Sequence, residues 1–262
     1  MKGAVVRGPR ALHSWSPARA FLLVAVVLLA HWLTAPSSRP TVLIYGDSLT
    51  VQSEDAARRL NTNPREALVF QARAGTAMCD WIDQASFDRL ALHPARVVLA
   101  FTGNTASCAS EAFRTGGVAG AVALYEQSLR QMRTIFASEP ITIVIPPAMH
   151  NLPNGWFPFN GDPALVAMYK RVGTELHMSI NTSADDWLTP GHVYTPQRPA
   201  YPNGPLVDVR LSDGVHLSVA GELWYGAALL QRPGAVPHRA PDAVPSPEAG
   251  PHADASGQAA GS

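Results

Sequence analysis

Four short stretches of the chain carry residue types that could perform acyl transfer. The first is Ile44-Tyr45-Gly46-Asp47-Ser48-Leu49-Thr50, where an apolar run ends in a glycine, an acid and a serine. Ala74-Gly75-Thr76 and Gly103-Asn104 follow, and near the far end stands Leu211-Ser212-Asp213-Gly214-Val215-His216-Leu217-Ser218. A serine hydroxyl is a poor nucleophile until a base takes its proton, and a neutral imidazole suits that task. His216 is the candidate base. Asp213, three residues earlier, can accept the hydrogen bond of the other ring nitrogen, fixing the tautomer and stabilising the imidazolium that forms. Negative charge on the carbonyl oxygen then calls for preorganised donors: the backbone N–H of Ser48, the backbone N–H of Gly75 and the side-chain amide of Asn104. Losing one such donor costs about 3 kcal/mol of transition-state stabilisation. A side chain at position 75 would impede close approach of substrate to that N–H.

Position depends on the elements around these residues. Thr41 to Tyr45, Ala67 to Arg73, Arg96 to Thr102 and Ile141 to Ile145 are short apolar, β-branched runs that read as buried strands. Between them lie segments with helical spacing: Asp55 to Leu60, Trp81 to Leu90, and Val118 to Phe136, where Val118, Val122, Tyr125, Leu129, Met132 and Phe136 recur at three and four. Two more helices are expected from Pro163 to Leu176 and from Ser218 to Gln231, the last with Ser218 as its N-cap and Glu222 in its first turn. Alternating strands and helices mean a mainly parallel sheet covered on both faces, an α/β fold. In such sheets the binding crevice lies at the carboxyl ends of the strands. Ser48, Gly75 and Asn104 each follow a strand, so one rim receives all three.

Each element has a plainer reading. Asp47-Ser48 could cap a helix entering at Val51, Asp213-Gly214 could be a turn, and Gly75 and Asn104 could be loop residues. His216 could be a satisfied histidine. Together, however, GDS, Gly, Asn and D-x-x-H, in that order and at those strand ends, resemble the SGNH (GDSL-type) hydrolases over about residues 41 to 231. The resemblance implies a flavodoxin-like three-layer α/β/α sandwich and a serine esterase. Ser48 would be the nucleophile, Asp213 and His216 would complete the triad, and Ser48, Gly75 and Asn104 would form the oxyanion hole. One block departs from the family pattern: Thr102 stands where the family has glycine, two residues before the asparagine, and Gly103 directly precedes Asn104. The α/β-hydrolase elbow Gly-x-Ser-x-Gly is absent around Ser48.

Composition bounds the rest. The chain has 262 residues, 47% hydrophobic and 15% charged, enough for one good-sized core. Twenty basic residues balance twenty acidic ones, and no Lys/Arg run marks the body of the chain, so nucleic acid is not an expected partner. Residues 1 to 37 read as an export segment, either a removed signal peptide or an uncleaved membrane anchor: Lys2, Arg7, Arg10 and Arg19 precede a 14-residue apolar run, Ala20 to Leu33. Residues 38 to 231 form the expected catalytic domain, placed outside the cytoplasm. Residues 232 to 262 are rich in Pro, Ala, Gly and Ser and read as a disordered tail. In an exported chain Cys79 and Cys108 are expected to form a disulfide. No metal or cofactor site is called for, since no His accompanies the cysteines at zinc-ligand spacing.

The substrate class rests on two loops. Pro146 to Pro163 carries His150, Trp156, Phe157 and Phe159, and Trp187 to Leu206 carries His192, Tyr194, Arg198 and Tyr201. Aromatic loops beside a catalytic rim suit sugar stacking, an acyl chain, or simple packing onto the core. The leading expectation is an esterase acting on small or carbohydrate-linked O-acyl esters, such as acetyl groups on a cell-envelope polysaccharide. An O-acyltransferase using the same triad, with an acyl-donor partner in the membrane, is the alternative. A non-catalytic glycan-binding domain is a third, and would require a degraded triad.

Overall fold

The computed structural model describes residues 39–150, 158–200 and 203–230. The chain divides into a segment 1–39 and a unit 40–262, and the second holds all of the strands and helices described. The expected export segment and tail lie outside the described residues; no helix among those described is long and apolar enough to cross a membrane.

Five parallel strands make the central sheet: β1 (Thr41–Gly46), β2 (Ala67–Ala72), β3 (Arg96–Ala100), β4 (Ile141–Val144) and β5 (Ser179–Asn181), in the order β2-β1-β3-β4-β5. This is the flavodoxin-like strand order, in which the chain winds first to one side of β1 and then to the other. Parallel neighbours need long crossovers, and the helices supply them. They are α1 (Ser48–Leu60), α2 (Ile82–Leu92), α3 (Ser110–Ile135), α4 (Pro163–Glu175), α5 (Ser183–Leu188) and α6 (Val219–Leu230).

Alternation along the strands divides the core into two. Leu43, Tyr45, Val97, Leu99, Ile141 and Ile143 face α2, α3 and α4, and Val42, Ile44, Val98, Ala100 and Val144 face α1, α5 and α6. Sheet and helices thus form three layers, the α/β/α sandwich that the resemblance implies. Both faces of β1 are buried, which explains why its sequence is a continuous apolar run.

Four of the strands coincide with the apolar runs; the helices depart more. α1 begins at Ser48, seven residues before the expected start, because the Asp47 side chain accepts from Leu49 N at 3.2 Å and caps it. α3 begins at Ser110 but is interrupted at Gly117, whose φ is +57°. Its buried stripe is Tyr125, Leu129, Met132 and Phe136, whereas Val118 at the expected head of the stripe is 38% exposed. Ser218 does cap α6, accepting from Gly221 N at 3.3 Å. β5 and α5 went unread because three and six residues are too few to establish a period. The second aromatic loop contributes β6 (Gln197–Pro199), which pairs antiparallel with β7 (Leu206–Asp208) at and beyond the loop's end.

Cys79 and Cys108 are bonded, each within a short 3₁₀ turn, Met78–Trp81 and Ser107–Ala109. A bridge across a sequence separation of 29 contributes about 3.5 kcal/mol on the chain-entropy account.

Candidate active site

The sheet register sets the level of the rim. Gly46 at the end of β1 stands opposite Ala72 of β2 on one side and Ala100 of β3 on the other. Three neighbouring strands, about 4.8 Å apart, therefore end together, and the chain continues from them to Ser48, Gly75 and Asn104. Glycine is required at 46: an added Cβ would lie 2.0 Å from Thr50 Oγ1 and 2.9 Å from the Ala100 carbonyl oxygen. Only without it can α1 start so close to β3, where Thr50 Oγ1 donates to that carbonyl at 3.2 Å.

Ser48 is the first residue of α1 and 8% exposed. Gly75 lies in the turn closed by Thr76 N donating to Arg73 O at 3.3 Å, with φ +74° and open space where a Cβ would be. Neither the Ser48 nor the Gly75 N–H donates to another described residue.

Asn104 is 4% exposed and held from three sides. Its Nδ2 donates to Asp47 Oδ2 at 3.1 Å, its carbonyl accepts from Tyr125 Oη at 2.9 Å, and its Oδ1 accepts from Asn160 Nδ2 at 3.4 Å. A carboxamide nitrogen carries two hydrogens. Asp47 takes one of them.

Asp47 caps α1, as the plainer reading of its position allows, and it has a second task. Fully buried, its Oδ2 accepts from Thr102 N at 2.7 Å and Thr102 Oγ1 at 2.6 Å as well as from Asn104. One carboxylate thus joins the serine turn to the asparagine loop. Burial pushes the Asp47 carboxyl up and outweighs the donors from Thr102, Leu49 and Asn104 that pull it down. The Thr102 departure is explained here: its hydroxyl and N–H both serve Asp47, and Gly103, at φ +111°, makes the turn instead. A Cβ on Gly103 would stand 2.6 Å from the Phe159 carbonyl oxygen. The sequence held a signal for this network in the shared order of Asp47 and Thr102 at adjacent strand ends, but partners 55 residues apart cannot be paired without the sheet.

The Asp213–His216 loop reaches the same rim. Leu217 N donates to Gln52 Oε1 at 3.2 Å, and Gln52 is one helical turn beyond Ser48. His216 Nδ1 lies 2.5 Å from Asp213 Oδ2, while Asp213 Oδ1 accepts from the N–H groups of Val215 and His216, both at 2.9 Å. With Nδ1–H donating to the carboxylate, a neutral imidazole carries its lone pair on Nε2. Arg210, 4% exposed, ties this loop to the segment that follows β4 by donating to Val215 O at 2.7 Å and Ala148 O at 3.1 Å. Burial pulls the Arg210 guanidinium down to about 10.

Partial burial raises the Asp213 carboxyl, but the His216 side chain and the Val215 and His216 N–H groups outweigh it and hold the carboxyl below the ordinary aspartate range. A depressed carboxyl adds stability above its unfolded value, and that stability is lost as pH falls through the folded value. Asp213→Asn is therefore expected to be less stable than wild type by urea unfolding near about pH 7, with the gap shrinking toward about pH 3. A gap of equal size at both would show that the charge contributes nothing.

The aromatic loops divide. Phe159 is fully buried against Tyr125 and Phe113, so of the readings open for the first loop it takes core packing. His192 is also structural, its Nδ1 lying 2.9 Å from Asp185 Oδ1 and its Nε2–H donating to Gly161 O at 2.8 Å. Arg198 Nε donates to Trp187 O at 3.1 Å. His150, exposed, pairs with Tyr194 at a ring-centroid distance of 5.1 Å, and its N–H donates to Gly214 O beside the Asp213–His216 loop at 3.2 Å. Trp156, Phe157 and Tyr201 lie outside the described residues.

A parallel β2-β1-β3-β4-β5 sheet with a serine at the helix start after β1, and an Asp-His pair beside it, defines a flavodoxin-like α/β/α protein with a serine-based rim. Solved structures share this fold. A lipase/acylhydrolase from Enterococcus faecalis matches at a TM-score of 0.53 and 19% identity, over 72% of this chain and 92% of that one. A catalytic mutant of an acetylxylan esterase from Geobacillus stearothermophilus matches at 0.50 and 16% identity, over 76% and 96%. No protein-family model and no curated protein sequence matches the chain.

Proposed function

We propose that this protein is an SGNH-type serine esterase acting outside the cytoplasm on small or carbohydrate-linked O-acyl esters, with acetyl groups on envelope polysaccharide as the favoured case. The observation that carries the reading is the Asp213–His216 hydrogen bond in a loop bonded to the helix turn that begins with Ser48. Acetylxylan esterase activity in a protein of the same fold supports the carbohydrate-ester part. The Cys79–Cys108 bridge supports an oxidising compartment.

The mechanism follows from the atoms at the rim. Ser48 Oγ attacks the ester carbonyl carbon while its proton passes to His216 Nε2, and Asp213 Oδ2 stabilises the imidazolium through Nδ1–H. Charge on the carbonyl oxygen is met by the N–H groups of Ser48 and Gly75 and by the second Nδ2 hydrogen of Asn104, each worth about 3 kcal/mol. The C–O bond to the alcohol breaks, and the alcohol oxygen takes the proton from His216. Water then gives a proton to His216 and attacks the acyl-enzyme, releasing the acid and restoring Ser48.

The test is a trapped acyl-enzyme. Protein comprising residues 38–262 is incubated with a panel of acyl esters and with acetylated envelope glycan, quenched in acid and digested. Added acyl mass on the peptide containing Ser48, with acetate released from glycan, is the expected result. Preference for long-chain esters with no acetate release would overturn the glycan reading, and transfer of the acyl group to a sugar hydroxyl in place of water would make the protein a transferase.

A further inference from the structure

β2 and β3 lie on opposite sides of β1 and share no ladder, so the loops that leave them for Gly75 and Asn104 are not held to each other by the sheet. The strands themselves are about 9.6 Å apart, two sheet spacings. What joins the loops is a cluster just beyond the two donors. Cys79 follows Gly75 by four residues and Cys108 follows Asn104 by four, and they are bonded with their Cα atoms 6.1 Å apart.

Asp80 adds a second tie between the same loops. Its Oδ2 accepts from Ala77 N at 2.8 Å in its own loop and from Ser107 Oγ at 2.5 Å in the other. Its Oδ1 accepts from Cys108 N at 3.3 Å. The cluster is also connected back to Gly75: Trp81 Nε1 donates to Thr76 Oγ1 at 3.1 Å, and Thr76 Oγ1 donates to Arg73 O at 2.7 Å, closing the turn in which Gly75 sits.

We propose that the Cys79–Cys108 disulfide and the Asp80 carboxylate form a positioning clamp that fixes the spacing of the Gly75 and Asn104 oxyanion donors across the strand that delivers Ser48. The inference rests on the esterase reading above and adds the residues that hold its oxyanion hole. Gly75 needs such a device more than Asn104 does. Asn104 is already held by Asp47 and Tyr125, whereas the exposed side of the Gly75 turn has open space about it. Oxyanion donors contribute only when they are held where charge develops, so a loosened loop loses transition-state binding before it loses substrate binding.

The test separates positioning from stability. Cys79→Ser/Cys108→Ser is compared with oxidised wild type at a temperature where circular dichroism shows both folded, using p-nitrophenyl acetate and a boronic acid that forms a tetrahedral adduct on a serine. The expected result is a fall in kcat of about 10-fold or more with KM within about twofold, and a boronate Ki weakened in parallel. Asp80→Asn and Ser107→Ala keep the disulfide and are expected to show smaller losses of the same kind; they stand in if the double variant does not fold. A purely structural bridge would lower the melting temperature alone. Folded variants with kcat and boronate Ki within about twofold of wild type would overturn the clamp while leaving the esterase standing. Oxidised wild type that neither turns over any ester nor reacts with a fluorophosphonate at Ser48 would overturn the esterase reading, and the clamp with it.

Discussion

Ser48→Ala is expected to lower kcat by about 10⁶-fold, the scale seen when a triad nucleophile is removed, because the proposed acyl-enzyme forms on Ser48 Oγ. The structure argues that the loss is chemical and not a failure to fold. Ser48 is the first residue of α1, and the cap of that helix is the Asp47 side chain bonded to Leu49 N. The change keeps Asp47 bonded to Thr102 and Asn104. Alanine is accepted at the first turn of a helix, so the melting temperature should move little. Turnover of p-nitrophenyl acetate, measured beside thermal unfolding, is the check. Activity above about 1% of wild type would remove Ser48 from its role.

Asp213→Asn is expected to lower kcat by about 10⁴-fold by imposing the wrong imidazole tautomer. Asparagine can keep the Oδ1 contacts to the Val215 and His216 N–H groups, so the loop should hold its shape. At the Oδ2 position, however, an amide NH₂ would face Nδ1, which lies 2.5 Å away in the native pair. A donor there requires Nδ1 to accept. The ring proton then moves to Nε2, which can no longer take the proton of Ser48. The stability change is expected to be about 1 kcal/mol or less, since the pair is roughly a third exposed and screened by solvent. The imidazole ¹⁵N resonances report the tautomer directly. Unchanged nitrogen shifts with unchanged kcat would show that Asp213 does not orient His216.

The candidate site residues were legible because they sit at places where local rules speak clearly. A strand that ends in Gly-Asp-Ser, and a D-x-x-H immediately before a helix capped by Ser218, are short-range patterns. β1 to β4 were legible for the same reason, since a strand buried on both faces must be apolar throughout. β5, α5 and the β6–β7 pair were not, because segments so short take their conformation from the surfaces they pack against. For Phe159 the aromatic type left a ligand surface and core packing equally open, and its environment among Tyr125 and Phe113 makes it core.

By itself the amino-acid sequence determined the alternation of strands and helices, the cysteine pair and the identity of the residues at each strand end. These follow from hydrophobic periodicity and turn chemistry, both properties of neighbouring residues. Tertiary structure decided which side chains serve one another. Asp47 reaches Thr102 and Asn104, Gln52 reaches Leu217, and Asp80 reaches Ser107 only because a parallel sheet in the order β2-β1-β3 brings three separate strand ends to one level. Such contacts span tens of residues of sequence, and their energies depend on burial and register. Only the folded sheet supplies these.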